Sequence, residues 1–162
     1  MKKGCSVLLF VMALLTIGCK SQAVEKETDQ MTQLRQTEAS EIASEIAGEW
    51  ELVAIKFRQM TDETLEDLFP LKKPFLVIDT EAMIIFGNNG CNVYRGPIKS
   101  ITATTLVLNK GLASTLKYCS GVKPLVYMQA LGEAKEYKVE KEHLLLQSKD
   151  QEVYLKFKKI KN

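Results

Sequence analysis

The residues of this chain that are best suited to covalent or metal chemistry are four cysteines and a single histidine. Cys91 and Cys119 lie deep in the chain, whereas Cys5 and Cys19 lie near its start. Cys91 and Cys119 do not form a Cys-x-x-Cys motif, and His143 is near neither of them in sequence, so a catalytic or redox pair has little support. A structural role is favoured for both.

His143 is expected at the junction of a turn and a strand. It has no second histidine with which to share a metal ion, and no serine or cysteine nearby in a nucleophile motif. We therefore predict a histidine on the surface or at a sheet edge. The acidic residues of the chain's predicted helix and turns are expected to be solvated charges: Glu63, Glu66, Asp67, Glu140 and Glu142. The sequence predicts no catalytic residue, no metal site and no cofactor.

Residues 87–96, Gly-Asn-Asn-Gly-Cys-Asn-Val-Tyr-Arg-Gly, concentrate three glycines and three asparagines around Cys91. Glycine adopts positive φ, asparagine tolerates it, and asparagine side chains bond nearby backbone groups, so a turn plus a bulge is predicted. A phosphate cradle is the first alternative, but the Gly-Lys-Ser/Thr and helix that it needs do not follow. A clamp for single-stranded nucleic acid is the second, and it needs a cytoplasmic address and a basic groove.

The first residues of the chain have the pattern of a secretion signal. Lys2 and Lys3 precede an apolar run over residues 7–15, and Thr-Ile-Gly-Cys ends at Cys19. The run is shorter than the about 20 apolar residues that a spanning helix needs. The end of the run resembles a bacterial lipoprotein signal, in which the cysteine is lipidated and becomes the new N terminus, with Thr16 where leucine is usual. An ordinary cleavable signal and a retained anchor are the alternatives.

Lipid attachment at Cys19 would divide the chain into a signal peptide over residues 1–18, a lipid-anchored flexible tether over residues 19–47 and a folded domain over residues 48–161. The tether is polar and holds few large apolar side chains, so burial cannot offset its ordering entropy. Its end could form a short helix over residues 40–46, with two isoleucines on one face. A docking segment for a partner is the alternative.

Export also bears on the charge and on the remaining cysteines. Loss of residues 1–18 removes two lysines and no acid from a chain with 22 basic and 20 acidic residues, which leaves it close to neutral. Nucleic-acid binding therefore has little support. Cys91 and Cys119 remain as an even pair in an oxidising setting, so we predict a disulfide, with two buried thiols as the alternative. Lys20-Ser21 after the cysteine resembles the sorting pattern for outer-membrane retention; the orientation of the domain is left open.

The sequence of the folded part of the chain predicts short strands joined by tight turns. A helix with three apolar residues at three-residue steps is predicted over residues 124–133, and a short helix capped by Thr61 over residues 61–69. Tight turns favour antiparallel neighbours, so about eight strands and one main helix are expected. The strands are predicted at residues 50–57, 75–78, 83–86, 92–98, 104–108, 112–117, 136–139, 143–147 and 153–160.

The last strand carries a run of lysines. Alternation places Lys156 and Lys158 on the outer face, and Leu155 and Phe157 nearer the core. A solvated face, or protection of a sheet edge against strand pairing, is the simplest interpretation. Attraction to anionic lipid head groups is the alternative.

Four pieces of the chain resemble the META domain family, also called HslJ-like, of bacterial heat-shock lipoproteins. They are a Gly-x-Trp-x-Leu opening, the central Gly-Asn-x-Gly-Cys-Asn signature, a Ser-Thr segment with a cysteine, and a closing pair of strands, together covering residues 48–160. The matching residues are Gly48, Trp50, Leu52, Gly87, Asn88, Gly90, Cys91, Asn92, Tyr94, Gly96, Ala113, Ser114, Thr115, Cys119, Leu144 and Leu146. The family usually carries a glutamate before the helix, and residues 121–124 hold no acid. No role of that glutamate is carried over.

The resemblance implies a mainly β (α+β) fold: an antiparallel, cracked or conical barrel-like sheet with one packed helix. It also implies an envelope protein linked to stress or antibiotic tolerance, with no established catalytic activity. The leading hypothesis is a non-enzymatic lipoprotein, held at the membrane by its lipid, that binds or protects an unknown envelope protein. The second is a lipocalin-like carrier of a small apolar ligand, motivated by Gly48-x-Trp50 and the strand count. An open apolar cavity would favour the carrier, and a filled core would oppose it.

Overall fold

The computed structural model describes residues 22–58 and 63–161. The predicted signal and Cys19 lie outside the described residues. No helix of the described chain is both long enough and apolar enough to cross a membrane. The elements in chain order are α1 (Gln22–Ile46), β1 (Gly48–Phe57), α2 (Leu65–Leu68), β2 (Phe75–Asp79), β3 (Ile84–Asn88), β4 (Val93–Ile101), β5 (Leu106–Leu108), β6 (Ala113–Ser114), α3 (Pro124–Glu133), β7 (Glu136–Glu140), β8 (His143–Gln147) and β9 (Val153–Lys159).

The segment expected to be a flexible tether is helical. The chain divides into two compact units, Met1–Leu34 and Arg35–Asn162, and α1 begins in the first and ends in the second. The short helix expected over residues 40–46 forms about the last two turns of α1. The polar composition of α1 opposes burial. The segment nevertheless forms a helix because it contains no glycine or proline and is rich in Glu, Gln and Ala, which are strong helix formers.

The packed core begins before Gly48, where the folded domain was expected to start. Ile46 at the end of α1 is fully buried. Its carbonyl oxygen accepts a hydrogen bond from the indole Nε1 of Trp50 at 3.0 Å. The end of α1 is therefore joined to the first strand by both packing and a buried hydrogen bond.

The nine strands form one antiparallel sheet that nearly closes into a barrel. Their order is β5-β4-β3-β2-β1-β9-β8-β7, with β6 paired to β4. The two ends of this order meet at a seam, where Thr105 forms an isolated bridge with Glu136. Backbone hydrogen bonds hold the seam on both sides: Leu106 N donates to Lys135 O at 3.0 Å and Tyr137 N to Thr104 O at 2.8 Å. The predicted barrel-like antiparallel sheet is confirmed.

Alternation along the strands fills the barrel with large side chains. In β9 and β8, for example, Leu155, Phe157, Leu144 and Leu146 are buried while their neighbours are more exposed. Helix α3 packs against this interior through Tyr127, Ala130 and Leu131. The largest fully buried side chains are Trp50, Tyr127, Phe157, Ile46, Leu52, Leu68, Leu76, Ile78, Ile85, Leu131, Leu144 and Leu146.

Most element predictions are confirmed, and the differences occur at their ends. The structure reproduces the predicted helix over residues 124–133 and the strand over residues 143–147. The strand predicted over residues 112–117 shortens to Ala113–Ser114. Helix α2 is capped by Thr64 through a capping box with Asp67, which corrects the predicted cap at Thr61, a residue outside the described chain.

Candidate functional site

Asn92 joins the two segments that carry the cysteines. Its Oδ1 accepts hydrogen bonds from Lys117 N at 2.6 Å and from Thr115 Oγ1 at 2.9 Å, and its Nδ2 donates to Lys117 O at 3.1 Å. The ladder between β4 and β6 stops at Tyr94↔Ser114. The buried amide of Asn92 therefore continues the pairing where the strands no longer can.

The other two asparagines of residues 87–96 shape the turn itself. Asn88 Oδ1 accepts from Gly90 N at 2.8 Å, and Asn89 Oδ1 accepts from Asn92 N at 2.7 Å and from Cys91 N at 3.3 Å. Both side chains are buried. They bond backbone groups two or three residues ahead, which is the behaviour that makes asparagine a turn residue.

The turn predicted for residues 87–96 is present, but the predicted bulge is not. Pairing of β3 with β4 runs without a register shift from Asn88↔Val93 to Ile84↔Pro97. The prediction of a bulge was wrong because the asparagine side chains satisfy the turn, and the glycines have other functions. Gly90 alone of the three lies at positive φ, +93°.

Gly87 and Gly96 permit close contacts that a side chain would prevent. A Cβ at Gly87 would lie 2.1 Å from the carbonyl oxygen of Phe75 and 2.9 Å from the hydroxyl of Tyr94. A Cβ at Gly96 would lie 2.2 Å from Cδ2 of Leu112. Both residues are therefore packing glycines within strands.

A disulfide joins Cys91 to Cys119, with Cα atoms 5.8 Å apart. The loop after α2 meets the same region, because Lys123 N donates to Leu68 O at 2.9 Å. We call the meeting of residues 68–72, 88–92 and 115–125 the disulfide end of the barrel. Both predicted cysteines and the central signature lie there.

Two buried tyrosines connect this end to the core. The hydroxyls of Tyr94 and Tyr127 lie 2.7 Å apart, and Tyr94 donates to the carbonyl oxygen of Phe75 at 3.1 Å. Because a carbonyl only accepts, Tyr127 is the donor to Tyr94. Burial raises the pKa of the Tyr94 phenol well above its usual value, helped by Tyr127, and burial also raises the pKa of Tyr127.

The remaining signature residues also have structural environments. Gly48 has a φ of +119° at the start of β1, and the ammonium of Lys159 lies 5.0 Å from the ring centre of Trp50. Ser114 Oγ lies 3.3 Å from the carbonyl oxygen of Val93, across the β4–β6 pair. The Gly48-x-Trp50 opening therefore has a structural role at the start of β1.

His143 is half-buried at the start of β8, where the sequence placed it. It lines a surface recess of about 200 Å³ with Lys138, Glu140, Leu145 and Lys156. Glu140 is the recess's single carboxylate, and its ion pair with Lys138, 2.5 Å long, lowers the pKa of that carboxyl. The pair of carboxylates that would mark an acid–base site beside this histidine is not in the recess.

The C-terminal lysines lie as predicted on the outer face, with Leu155 and Phe157 fully buried between them. Strand β9 is paired on both sides, with β1 and β8, so edge protection was the wrong interpretation for this strand. Lys161 pairs with Glu142 at 2.6 Å, which lowers the pKa of that carboxyl. This outer face therefore has mixed charge.

Aromatic rings fill the centre of the barrel. The ring of Tyr127 lies 6.4 Å from Phe157, 5.7 Å from Tyr94 and 6.5 Å from Phe69, measured between ring centres. A surface cleft of about 320 Å³ runs between the β5–β6 connection and α3. Another of about 340 Å³ lies beside residues 38–43 of α1. The filled interior opposes the carrier hypothesis, which requires an open apolar barrel.

These features define a class of protein: a nearly closed antiparallel barrel, packed by one helix, with a disulfide beside an asparagine-rich hairpin. Residues 40–161 match the model of the META domain. The chain belongs to the META domain family, as the resemblance indicated. The match begins within α1, eight residues before Gly48. Among curated proteins the chain has no significant match.

Two solved structures share the fold. A protein from Burkholderia xenovorans, determined by NMR, has a TM-score of 0.60 at 19% identity, over 76% of this chain and 89% of its own. A DUF4847 family protein from Bacteroides vulgatus has a TM-score of 0.51 at 15% identity, over 72% of this chain and 95% of its own. At these identities the likeness concerns the fold.

Two features in and beside the disulfide end have no clear signal in the sequence. Tyr127 looks like one more apolar residue of a helix stripe, yet it reaches Tyr94 on β4. Leu116 was predicted to lie in a strand, yet it and Tyr118 are almost fully exposed. Lys123, the residue before α3, makes no capping bond with its side chain and pairs with Glu63 instead.

Proposed function

We propose that this protein is a non-enzymatic envelope lipoprotein, held on the outer membrane through a lipid on Cys19, whose META domain is a binding or interaction module in stress or antibiotic tolerance. The observation that carries the proposal is that the asparagines of the family signature bind the protein's own backbone and are not exposed to a substrate. Asn88, Asn89 and Asn92 are buried, and their amide oxygens accept hydrogen bonds from the chain's own backbone. Such a signature maintains a surface instead of acting on a substrate.

The chemistry of the described residues supports a binding role. Within residues 22–58 and 63–161, no group of three or more His, Cys, Asp and Glu side chains could hold a metal ion. Across the same part of the chain, every buried side-chain nitrogen and oxygen has a hydrogen-bond partner. Polar groups held ready for a substrate are commonly left unpaired. Beside the half-buried His143, the recess holds one carboxylate, Glu140.

The leader supports the location. An apolar run that is too short to span a bilayer ends at Gly18-Cys19, and the first residues after the cysteine hold no acid. A diacylated cysteine would hold the chain on a membrane without a spanning helix. The long helix α1 then lies between the anchor and the barrel in the chain.

The experiment compares three forms of the full chain in a deletion strain. Cys19→Ser removes the acceptor for the lipid, and Cys5→Ser is its matched control within the leader. Wild type and Cys5→Ser should float with outer-membrane vesicles and restore survival under an envelope-active antibiotic. Cys19→Ser should do neither while reaching similar abundance. Membrane flotation and protection by Cys19→Ser at the wild-type level would refute the proposal.

A further inference from the structure

The disulfide end exposes large apolar side chains to solvent. Leu116 is 98% exposed and Tyr118 is 91% exposed, and Lys117 lies between them. Other exposed apolar residues of the same surroundings are Leu71, Val93 and Leu125. A cluster of this kind on a folded surface marks a contact with a partner or a membrane more often than isolated apolar residues do.

The exposed segment is held in place. Both backbone groups of Lys117 bond the amide of Asn92, and Thr115 N donates to Val93 O at 3.1 Å. Two residues after Lys117, the disulfide fixes Cys119 to the β3–β4 turn. Leu116 and Tyr118 therefore protrude from a backbone that is bonded to the neighbouring hairpin on both sides.

The charge around this surface is mainly positive. No acidic residue occurs between Glu81 and Glu133, a stretch that includes β3 to β6 and most of α3. The same stretch holds five basic residues: Arg95, Lys99, Lys110, Lys117 and Lys123. The loop before β2 adds Lys72 and Lys73, both exposed. Of the acids beside α2, Glu63 pairs with Lys123, Asp67 is bound to Thr64, and Glu66 is exposed.

We propose that the disulfide end docks on an anionic lipid bilayer, with Leu116 and Tyr118 entering the interface and Lys117 lying against the head-group phosphates. Leucine and tyrosine beside lysine are the residues that membrane interfaces favour, and each basic residue near an anionic leaflet adds to the attraction. Lys117 lies between two apolar side chains, and the segment has no acid, so it is complementary to the negatively charged phosphates of a lipid surface. The inference rests on the proposed function, since the anchor brings the domain to a membrane.

The experiment uses the full chain, purified from membranes and reconstituted in vesicles of phosphatidylcholine with or without phosphatidylglycerol. Leu116→Trp places a fluorescent reporter at the tip, and the native Trp50 is fully buried. Thr104→Trp is the matched control, because Thr104 is exposed in the β4–β5 connection at the opposite end of the barrel. Brominated lipids quench a tryptophan that enters the bilayer.

In vesicles with phosphatidylglycerol, the Leu116→Trp reporter should be quenched and the Thr104→Trp control should not. Adding Lys117→Glu should weaken docking by roughly fivefold or more, the equivalent of the ~1 kcal/mol that one basic residue contributes at an anionic surface. Circular dichroism of each variant confirms that the barrel is folded. Equal quenching at both positions, or none at Leu116→Trp, would overturn the proposal.

Two further readouts separate the possible failures. Flotation of the wild-type chain with vesicles that lack phosphatidylglycerol reports on the anchor. A chain that floats with these vesicles, but whose Leu116→Trp reporter is not quenched in vesicles with phosphatidylglycerol, refutes docking and keeps the lipoprotein assignment. A photo-crosslinking residue at Tyr118 in living cells tests a protein partner. Capture of one defined envelope protein there, together with absent quenching, would assign the surface to that protein and refute the lipid contact.

Discussion

The hydroxyl of Tyr127, on the helix that packs the barrel, lies 2.7 Å from the hydroxyl of Tyr94, on the hairpin that carries the family signature. Tyr94 in turn donates to the carbonyl oxygen of Phe75 on β2. This chain of two hydrogen bonds joins α3, β4 and β2 within an apolar environment. It links the disulfide end to the core of the fold.

Because of the tyrosine pair, the stability of the fold should decrease at alkaline pH. The pKa of each phenol is raised in the folded state above its usual value of 10.0, chiefly because burial disfavours the charged form. Above about pH 10 the unfolded chain therefore loses protons that the folded chain keeps, and stability falls by about 1.4 kcal/mol per pH unit for each tyrosine. The stabilisation is complete below pH 10. Urea unfolding between pH 8 and 11 measures this loss of stability. Tyr127→Phe should reduce the slope of stability against pH by about 1.4 kcal/mol per pH unit, the contribution of one tyrosine. An unchanged slope in that variant would contradict the assignment.

Asn92→Ala should destabilise the fold strongly. The change removes three hydrogen bonds to residues 115–117 and leaves the backbone of Lys117 without partners, for an expected loss of about 2–4 kcal/mol. Asn109→Ala, at an exposed asparagine of the β5–β6 connection, is the control and should change stability by less than about 0.5 kcal/mol. Chemical denaturation of both variants gives the two values. Equal effects would mean that the amide of Asn92 does not join the two segments.

Gly87→Ala tests the close packing within β3. The new Cβ would lie 2.1 Å from a backbone oxygen of Phe75, so the strands must shift, and we expect a loss of about 1–3 kcal/mol or more. Gly132→Ala provides the opposite case, because Gly132 lies in α3 with nothing within 4 Å of the added carbon. Its helix propensity should raise stability by up to about 1 kcal/mol. Thermal melting compares the two, and a stable Gly87→Ala variant would be inconsistent with the packing described.

Removal of the disulfide should lower stability and leave the fold intact. The cysteines are 28 residues apart, and the loop-entropy relation gives about 3.6 kcal/mol for such a cross-link. The double variant Cys91→Ser/Cys119→Ser should therefore unfold at lower denaturant than the wild type. Addition of reductant to the wild type should reproduce the shift and leave the double variant unaffected. A wild type that does not respond to reductant would show that the bond adds little.

Much of the fold can be read from local patterns, and the places where this fails have physical reasons. The helix over Pro124–Glu133 carries a proline suited to its first turn and regular apolar steps, and it is reproduced in full. Helix α1 was missed as a long element because polar composition was taken to indicate disorder, whereas helix propensity and the packing of Ile46 favour order. The strand predicted over residues 112–117 was too long because Leu116 has an apolar side chain, which the sequence pattern cannot distinguish from that of a buried strand residue.

The sequence predicted which residues belong to the candidate site, but not the hydrogen bonds that they form. Two cysteines and a cluster of asparagines are visible in one sequence, but the three bonds from Asn92 to residues 115–117 need the backbones of two distant segments. Seam closure by Thr105↔Glu136 likewise depends on strand order that no local pattern contains. The surface of the disulfide end could be recognised only once exposure was known.

The intact mass of the mature protein from bacterial membranes, taken before and after alkylation, tests the lipid anchor and the disulfide together. We predict a chain that begins at a lipidated Cys19, and Cys91 and Cys119 that take up alkylating reagent only after reduction. A chain that retains residues 1–18, and in which Cys91 and Cys119 are among four thiols that react without reductant, would contradict both the lipoprotein assignment and the disulfide.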